Sequence, residues 1–439
     1  MALNDHVVLL SVPGLRASDV SRMPNLQQLV SEGDSAPLIP SFPCVTWPVQ
    51  ANLLTGQLAQ QHGVIANGFY WRKENKVEMW TAWNEKIQRP QIWDVLHQHD
   101  PNLTSAAWFP MLSKGCGADY VCMPAPVHNP DGSESLWCYT KPTELYGELR
   151  DTLGHFPLQH FWGPMANIKA TDWICKSAAL AAQNQKPRFS YLYLPHLDYA
   201  AQKDGPDSPA ALQACADLDH VLGTLISDYQ QALKNVLWLI VSEYTIVPVN
   251  DVLYPNRLLR DAGMLAIDVR DDGEHLDYAQ SRAWALVDHQ FSHIFVNDAN
   301  DIAAVAKLFQ GQPSVDEVLA GDDRAKYGMG HERSGEVIVI SAPNSWQAYY
   351  WWMDDALAPS YARTVDIHRK PGYDPVELHF DMATKSIPLD ATLIKGSHGA
   401  PAKLDSQQGV LLASQRGVFP QQPTAETDVF EIVLRQFGI

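Results

Sequence analysis

The stretch from His6 to Gly14 reads HVVLLSVPG, and it is the part of the sequence that decides the fold. It is a nearly continuous apolar run that ends in Pro-Gly, which is typical of a strand buried on both faces of a parallel sheet and followed by a turn. Further apolar runs predict strands at Phe189–Leu194, Val236–Val241, Ala283–Val287, Ile294–Val296, Val337–Ile340 and Val410–Ala413.

Helical patterns lie between several of these runs. Met23–Glu32 carries apolar side chains at helical spacing and is followed by Gly33, a residue that commonly ends helices. Similar patterns predict helices at Val49–Leu54, Ala210–Ala232 and Ile302–Gln310, whereas the Pro-rich stretch Ala36–Pro48 is predicted to be a loop. The alternation of strands and helices predicts an α/β fold with a mainly parallel central sheet flanked by helices.

Composition and charge exclude several classes of protein. The chain has 439 residues, 46% of them hydrophobic, and Lys+Arg 32 against Asp+Glu 50 gives a formal net charge of −18. Such a chain buries a large core and is a poor partner for nucleic acid polymers or anionic membranes. No apolar run is long enough to span a bilayer, and the first residues do not have the pattern of a signal peptide. The six cysteines show no C-x-x-C spacing, and in so long a chain they do not make a disulfide scaffold, so the predicted compartment is reducing and cytoplasmic.

Polar or turn residues follow four of the apolar runs. They are Pro13-Gly14, Pro195–Asp198, Ser242–Thr245 and, after Leu393-Ile394, Gly396–Gly399. Because the ligand crevice of an open parallel sheet lies at the carboxyl ends of its strands, these four groups are expected to converge.

Five motifs occur in a fixed order along the chain. They are FPCVTWPVQANLLTG (Phe42–Gly56), QHGVIANGFY (Gln61–Tyr70), LPHLDYAAQKDGPDS (Leu194–Ser208), IVSEYTIVPV (Ile240–Val249) and IKGSHGAP (Ile394–Pro401). In this order the chain resembles the nucleotide pyrophosphatase/phosphodiesterase branch of the alkaline phosphatase superfamily, from Val7 to about Ser414.

The resemblance implies a set of roles. In that branch a Thr or Ser attacks phosphorus and forms a phospho-enzyme, while two metal ions, usually zinc, activate the nucleophile and neutralise charge. By position, Thr46 resembles the nucleophile and Asn67 the amide that holds a phosphate oxygen. Asp198 and His398 resemble two ligands of the first metal ion.

The sequence departs from this pattern at the other metal positions. The usual Asp of the first strand is Pro13, the usual His four residues after Asp198 is Gln202, and the usual Asp-His pair is Glu243-Tyr244. Glu243 remains a candidate metal ligand, and Gln202 is a weak, neutral one. The sequence therefore predicts a divalent metal ion, with zinc favoured, and at most one tightly bound ion; a site without any ion is the alternative.

Other residues are candidates to compensate for the lost ligands. His196, His289 and His368 lie near strand ends or in polar clusters and are further candidate metal ligands. Asp288-His289 and Asp366-x-His368 are carboxylate–imidazole clusters, and they are candidates for metal ligands or for phosphate and substrate contacts. Arg369 and Lys370 are the candidates for binding a substrate phosphate, because they adjoin one another in an acidic chain. The alternative is that these side chains only cap helices or pack in the core.

The predicted organisation is a core at 1–264 with a decorating segment at 116–185, an inserted cap at 265–375, and a return to the core at 376–439. The predicted function is a phosphoester or phosphoanhydride hydrolase, or a related phosphoryl-transfer enzyme, with Thr46 as nucleophile and a remodelled metal site. Its partner would be a phosphorylated small molecule. The alternative is a catalytically inactive relative that binds a phosphorylated small molecule or a protein partner, and fold-level resemblance alone does not choose between them.

Overall fold

A nine-stranded sheet, the central sheet, dominates the computed structural model, which describes residues 4–128 and 134–439. Its strands lie in the spatial order Thr424–Ala425, Ser35–Ile39, Gly409–Ala413, Val236–Val241, His6–Ser11, Phe189–Tyr193, Ser105–Trp108, Tyr120–Pro124 and Cys138–Lys141. Residues 129–133 of the predicted decorating segment lie outside the described residues.

The middle of the central sheet is parallel. His6–Ser11 pairs in parallel with Phe189–Tyr193 on one side and Val236–Val241 on the other. Antiparallel pairs occur towards both sides, where Gly409–Ala413 joins Val236–Val241 and where Cys138–Lys141 joins Tyr120–Pro124. The predicted α/β fold class is therefore confirmed, with a mixed sheet whose centre is parallel.

Helices cover the faces of this sheet, and two others, Pro255–Asp261 and Ile302–Phe309, pack against the strands of a second sheet. The α-helices are Ala17–Val20, Pro24–Val30, Thr46–Thr55, Ala59–His62, Ile92–His99, Leu145–Leu153, Ile168–Gln185, His196–Asp204, Pro209–Ala232, Pro255–Asp261, Ile302–Phe309 and Asp428–Gln436. Because the central strands are covered on both faces, every residue from Val7 to Ser11 is buried and the strand is apolar along almost its whole length. Within the described ranges, no helix is both long and apolar enough to cross a membrane.

The predicted loop Ala36–Pro48 is partly wrong. Ser35–Ile39 is a strand, and the helix predicted at Val49–Leu54 already begins at Thr46. The strand alternates buried and exposed residues, with Pro37 on the exposed face, and it pairs with Gly409–Ala413. Proline is depleted in strands, and its presence here concealed the alternating pattern.

A second, four-stranded sheet is antiparallel. Its strands lie in the spatial order Ala283–Asp288, Phe291–Val296, Val337–Ser341 and Val315–Ala320. The prediction that three of these runs belong to a mainly parallel sheet is wrong, because an apolar run alone does not distinguish parallel from antiparallel pairing. The division of the chain into core and cap at 265–375 stays a prediction.

A two-residue turn of the second sheet brings the two sheets together. His289 and Gln290 connect the first two strands, and His289 has a φ of 57°, which is uncommon for a residue other than glycine. The Gln290 backbone N–H donates to the His398 carbonyl at 3.0 Å. The turn therefore lies against the loop that carries the last sequence motif.

The smaller strands form two-stranded pairs or ribbons. They are Gly68–Trp71 with Lys76–Met79, Val127–His128 with Glu134–Ser135, Val247–Pro248 with Gly396–Ser397, Asp251–Leu253 with Ser345–Gln347, and Ala266–Arg270 with Gly273–Asp277. The pair that contains Gly396–Ser397 places the residues after it beside the central strands.

Glu426 is a carboxyl group buried within the fold, and it predicts a dependence of stability on pH. Burial raises the pKa of Glu426 from 4.5 to about 8, although Asn52 donates a hydrogen bond to one carboxyl oxygen. A raised pKa means that the folded state binds the proton more tightly, so this group stabilises the fold most below pH 4.5 and loses that contribution as pH rises towards 8.

The Glu426→Gln variant removes this titration. Its free energy of unfolding, relative to the parent protein, is expected to rise by about 1.4 kcal/mol for each pH unit between pH 5 and pH 8. Urea unfolding at several pH values measures it. Glu431→Gln changes an exposed carboxylate in the following helix and is the control, with no such trend expected. If the difference in the free energy of unfolding between Glu426→Gln and the parent protein does not change with pH, the raised pKa of Glu426 is contradicted.

Candidate functional site

Four side chains that follow strands or begin helices converge at the carboxyl ends of the central strands. Thr46 is the first residue of the helix Thr46–Thr55, and Asp198 lies in the first turn of the helix His196–Asp204. Tyr244 follows the strand Val236–Val241, and His398 follows Gly396–Ser397. The turn after the first strand joins them, because the Gly14 backbone N–H donates to the Tyr244 carbonyl at 2.9 Å.

A chain of hydroxyl and carboxylate groups connects three of these residues. The Tyr244 hydroxyl lies 3.1 Å from Thr46 Oγ1 and donates to Asp198 Oδ1 at 3.4 Å. Since the phenol proton points to the carboxylate, the Thr46 hydroxyl is the donor to the Tyr244 oxygen. Tyr244 stands where the resemblance implies a histidine ligand, and it occupies the space between Thr46 and Asp198.

Gln202 fixes the orientation of Asp198. Its Nε2 donates to Asp198 Oδ2 at 2.8 Å, and its Oε1 accepts a hydrogen bond from the Tyr373 hydroxyl at 2.8 Å. Burial raises the pKa of Asp198 to about 7, while the hydrogen bonds from Gln202 and Tyr244 oppose that rise. Gln202 thus serves the carboxylate as a hydrogen-bond donor, a role that differs from that of a metal ligand.

His398 presents one nitrogen towards Asp198. Its Nδ1 lies 2.7 Å from the Cys44 carbonyl, and its ring stacks on Tyr244 with centroids 3.6 Å apart. Burial lowers the pKa of His398 well below its ordinary value, so the ring is neutral at pH 7. Because a carbonyl only accepts, Nδ1 carries the proton and Nε2 carries the lone pair, 3.8 Å from Asp198 Oδ1.

Glu243 lies beneath the site. Its Oε1 accepts hydrogen bonds from the Ser11 hydroxyl at 2.7 Å and from Gln50 Nε2 at 2.8 Å. Burial raises the pKa of Glu243 to about 8, so it is mostly protonated at neutral pH. In the described structure Glu243 connects the ends of two central strands to the Thr46 helix, and it does not line the cavity above Thr46.

Asn67 and Asp288 hold the first turn of the Thr46 helix. The Asn67 side-chain oxygen accepts from the Trp47 backbone N–H at 3.0 Å, and its Nδ2 donates to Asp288 Oδ1 at 3.2 Å. Asp288 also accepts from the Asn67 backbone N–H at 2.8 Å and lies 2.5 Å from His289 Nδ1. The sequence offered Asp288, beside His289 at the end of an apolar run, as a candidate metal ligand or substrate contact, and in the structure it accepts hydrogen bonds from Asn67.

A cavity of about 540 Å³ opens above Thr46 and Asp198. Its walls are largely aromatic and apolar, and they include Trp80, Phe109, Met123, Phe161, Trp162, Tyr193, Tyr199 and Tyr373. His289 also lines the cavity and stacks on Tyr373 with centroids 3.8 Å apart. Burial lowers the pKa of His289 well below its ordinary value, so this ring is neutral as well.

The two predicted phosphate-binding cations have other partners. Lys370 lines the cavity, but its ammonium group lies 2.8 Å from Asp374 and 2.6 Å from Glu377 and is almost fully buried. Arg369 pairs with Asp366, and 60% of its side chain is exposed outside the cavity. Neither side chain is positioned in this structure as an unpaired cation facing Thr46.

The other predicted histidines fall in different places. His368 lines the cavity, and its Nδ1 lies 3.3 Å from the Met79 carbonyl. His196 does not line the cavity and lies 3.9 Å from Asp217 on the neighbouring helix. Burial lowers the pKa of His196 to about 4.

The residues present do not fit the two-ion centre that the resemblance implies. Pro13 offers no side-chain donor, Tyr244 fills the space between Thr46 and Asp198, and Gln202 uses its amide on the carboxylate. Across residues 4–128 and 134–439, no three His, Cys, Asp or Glu side chains are grouped so that they could hold a metal ion.

Comparisons with known proteins agree on one family. The family model described as type I phosphodiesterase / nucleotide pyrophosphatase matches residues 7–374. An uncharacterized pyrophosphatase/phosphodiesterase of Schizosaccharomyces pombe is 26% identical over 258 residues, which are 58% of this chain and 46% of that protein. A bis(5'-adenosyl)-triphosphatase of Xenopus laevis is 24% identical over 237 residues, which are 52% of this chain and 43% of that protein. The chain spans less than half the length of these two relatives.

Solved structures show the same fold. A phosphonoacetate hydrolase of Sinorhizobium meliloti, in complex with phosphonoacetate, has a TM-score of 0.66 at 15% identity, covering 99% of this chain and 96% of its own. An inactive threonine-to-alanine variant of murine ectonucleotide pyrophosphatase/phosphodiesterase 5, in complex with AMP, has a TM-score of 0.63 at 16% identity, with coverages of 99% and 95%.

Proposed function

Because the chain belongs to the type I phosphodiesterase / nucleotide pyrophosphatase family, we propose that it hydrolyses phosphoesters or phosphoanhydrides with Thr46 as the nucleophile in a remodelled site. The observation that carries the proposal is the hydrogen-bonded chain from Thr46 through Tyr244 to Asp198. A neutral threonine hydroxyl is a poor nucleophile, so it needs a neighbouring group that takes its proton.

The hydrogen bonds from Thr46 through Tyr244 lead to such a group, the carboxylate of Asp198. As Thr46 Oγ1 bonds to phosphorus, its proton passes to the Tyr244 oxygen, and the Tyr244 proton passes to Asp198 Oδ1. The bond from phosphorus to the leaving oxygen breaks, and the leaving group departs with the electron pair. Water then attacks the phosphorus of the phosphothreonine, the bond from phosphorus to Thr46 Oγ1 breaks, and the protons of the water leave on the phosphate product. The proton held by Asp198 returns through Tyr244 to Thr46 Oγ1.

The position of Thr46 favours this reaction. It begins a ten-residue helix, whose positive end favours a phosphoryl group there. Asn67 and Asp288 fix the first turn of this helix, so the hydroxyl is held in place before a substrate arrives. Orientation of the nucleophile therefore does not depend on ligand binding.

The cavity suggests the kind of substrate. Its volume of about 540 Å³ and its aromatic walls suit a phosphorylated small molecule with a flat organic group. Relatives named for bis(5'-adenosyl)-triphosphate, and a solved neighbour in complex with AMP, support a nucleotide-type phosphoester or phosphoanhydride.

A second candidate function is binding of a phosphorylated small molecule without turnover. It is favoured by the loss of the two-ion ligand set, since Pro13, Gln202 and Tyr244 stand at three of its positions. A panel of phosphomonoesters, phosphodiesters and pyrophosphates distinguishes the two. If the parent protein turns over none of them, with or without added zinc or manganese, yet binds AMP in calorimetry, the binding function takes precedence.

Tyr244→Phe tests the proton path directly. We expect kcat to fall about 10²- to 10⁴-fold, because the path from Thr46 to Asp198 is interrupted, while KM changes little. Tyr199→Phe is the matched control, since Tyr199 lines the same cavity and is not part of the hydrogen-bonded chain. Equal kcat values for Tyr244→Phe and the parent protein would remove Tyr244 from the mechanism.

A further inference from the structure

Hydrolysis of the phosphothreonine needs a base other than Asp198. After the first step of the proposed reaction, Asp198 holds the proton that came from Thr46, and it returns this proton to Thr46 Oγ1 when the phosphate leaves. Asp198 therefore cannot take a proton from the attacking water at the same time. Because a group that accepts a proton from water makes it a better nucleophile, a second base on the cavity wall would speed this step.

We propose that this second base is His289 and that Asp288 positions it. The inference rests on the proposed function, because it assigns a residue to the second half of that reaction. His289 Nδ1 lies 2.5 Å from Asp288 Oδ1, and Asp288 also accepts hydrogen bonds from the backbone N–H and the Nδ2 of Asn67. Since a carboxylate in these contacts only accepts, His289 Nδ1 carries the proton and Nε2 carries the lone pair.

The lone pair of His289 Nε2 is open to the cavity. His289 lines the same cavity as Thr46, and its Nε2 makes no hydrogen bond to any residue of 4–128 or 134–439. Nε2 of His398 is sealed in the interior without a partner, whereas Nε2 of His289 is not sealed in this way, so a water molecule in the cavity can reach it. An imidazole with one nitrogen on a carboxylate and the other facing a cavity has the arrangement of a general base.

Contacts with neighbouring residues hold the His289 ring in this position. The ring stacks on Tyr373 with centroids 3.8 Å apart and lies against His398 with centroids 3.9 Å apart. The backbone of His289 has a φ of 57°, and its carbonyl accepts a hydrogen bond from the Gln347 backbone N–H at 2.8 Å. So uncommon a backbone conformation persists where the surroundings enforce it. The base is therefore in place before a substrate arrives.

The other carboxyl and imidazole groups of the described cavity wall are less suited to this role. Apart from Asp198, the carboxyl groups are paired with lysine or arginine, and they are Asp366, Asp374 and Glu377. His368 is exposed, and its Nδ1 lies 3.3 Å from a backbone carbonyl and has no carboxylate partner. Among the described lining residues, His289 alone combines a neutral imidazole with a buried carboxylate that orients it.

His289 accepts one proton during the hydrolysis and then releases it. As the water oxygen bonds to phosphorus, one water proton moves to His289 Nε2. The bond from phosphorus to Thr46 Oγ1 breaks, and Thr46 Oγ1 takes the proton held by Asp198 through Tyr244. His289 then passes its proton to an oxygen of the phosphate, so both water protons leave on the product. Burial keeps the resting ring neutral, and the Asp288 carboxylate stabilises the imidazolium that forms.

The experiment follows the formation and the hydrolysis of phosphothreonine separately in the full chain. The parent protein and His289→Asn are mixed with the best substrate of the panel, quenched with acid after increasing times, and assayed for leaving group and for phosphate on the peptide that contains Thr46. Asparagine tolerates a positive φ and can donate to Asp288, but its amide nitrogen is not a base. We expect phosphothreonine to form at about the parental rate and its hydrolysis to slow about 10²- to 10⁴-fold, with release of leaving group in a burst.

Two further variants serve as a rescue and as a control. His289→Ala removes the ring, and added imidazole should restore part of its rate of phosphothreonine hydrolysis, because the free base can occupy the vacated space. His220→Ala changes an exposed histidine on the helix Pro209–Ala232 and should leave both steps unchanged. Circular dichroism of each variant shows whether it is folded.

The outcomes separate this inference from the proposed function. Hydrolysis of phosphothreonine at the parental rate in both His289 variants would overturn the inference and leave the hydrolase in place. Slow hydrolysis in His368→Ala, together with the parental rate in His289→Asn, would overturn it as well and assign the base to His368. A parent protein in which no phosphothreonine forms would remove Thr46 as the nucleophile, and the inference with it.

Discussion

Thr46→Ala is expected to lower kcat for phosphoester hydrolysis by roughly 10³- to 10⁶-fold, the range seen when a nucleophile is removed from an enzyme that acts through it. The methyl side chain of alanine cannot bond to phosphorus. Substrate binding should persist, because the aromatic walls and the neighbouring Asn67 and Asp198 remain. Initial rates on the best substrate of the panel, with affinity measured separately, provide the measurement.

Thr46→Ser is the matched control for this experiment. It keeps a hydroxyl at the first residue of the helix and within reach of Tyr244, so its kcat should stay within about tenfold of the parent value. Mass spectrometry of acid-quenched reactions should find phosphate on the peptide that begins this helix in the parent protein and in the serine variant, and not in the alanine variant. An alanine variant as fast as the parent protein would show that Thr46 is not the nucleophile.

Asp288→Ala is expected to lower the free energy of unfolding by about 3–5 kcal/mol, because it leaves several buried donors without an acceptor. Asp288 accepts from the Asn67 backbone N–H, from Asn67 Nδ2 and from His289 Nδ1, and it is 1% exposed. Burial raises the pKa of Asp288 to about 6, and the Asn67 hydrogen bonds oppose that rise. Urea unfolding at pH 7.5, where the group is mainly ionised, measures the loss.

The control for this prediction is Asp271→Ala. Asp271 is an exposed carboxylate on the surface, so its removal should change the free energy of unfolding by no more than about 0.5 kcal/mol. Asp288→Asn retains one acceptor oxygen, so its loss in the free energy of unfolding should lie between those of Asp288→Ala and Asp271→Ala. A loss below about 1 kcal/mol for Asp288→Ala would mean that the three donors find water or other acceptors.

The sequence predicted the elements that local patterns define. The strand Val236–Val241 was predicted with its observed bounds, and Phe189–Leu194 differs from the observed strand by one residue. Such strands are buried on both faces, so their apolar runs are long and end abruptly at polar residues. Because these apolar runs end abruptly at polar residues, Asp198 and His398 could be recognised from the sequence as polar groups at strand ends.

Other features depend on contacts between distant parts of the chain. The stacking of Tyr244 on His398 joins residues that no local pattern relates. Asp288 reaches Asn67 only because the second sheet turns at His289 and Gln290, and antiparallel pairing was not distinguishable from the apolar runs. The ion pairs of Lys370 with Asp374 and Glu377 could not be predicted either, because the adjacency of Arg369 and Lys370 in the sequence does not show which carboxylates each one contacts.

The turn at His289 and Gln290 also has a mechanical consequence. The Gln290 N–H in this turn donates a hydrogen bond to the His398 loop and so connects the second sheet to that loop. The cavity is lined by Thr46 on the side of the central sheet and by His289 on the side of the second sheet. A molecule that occupies the cavity therefore spans the seam between the two sheets. Its binding free energy opposes separation of the sheets, so an occupied protein should resist proteolysis and heat at this junction better than an empty one.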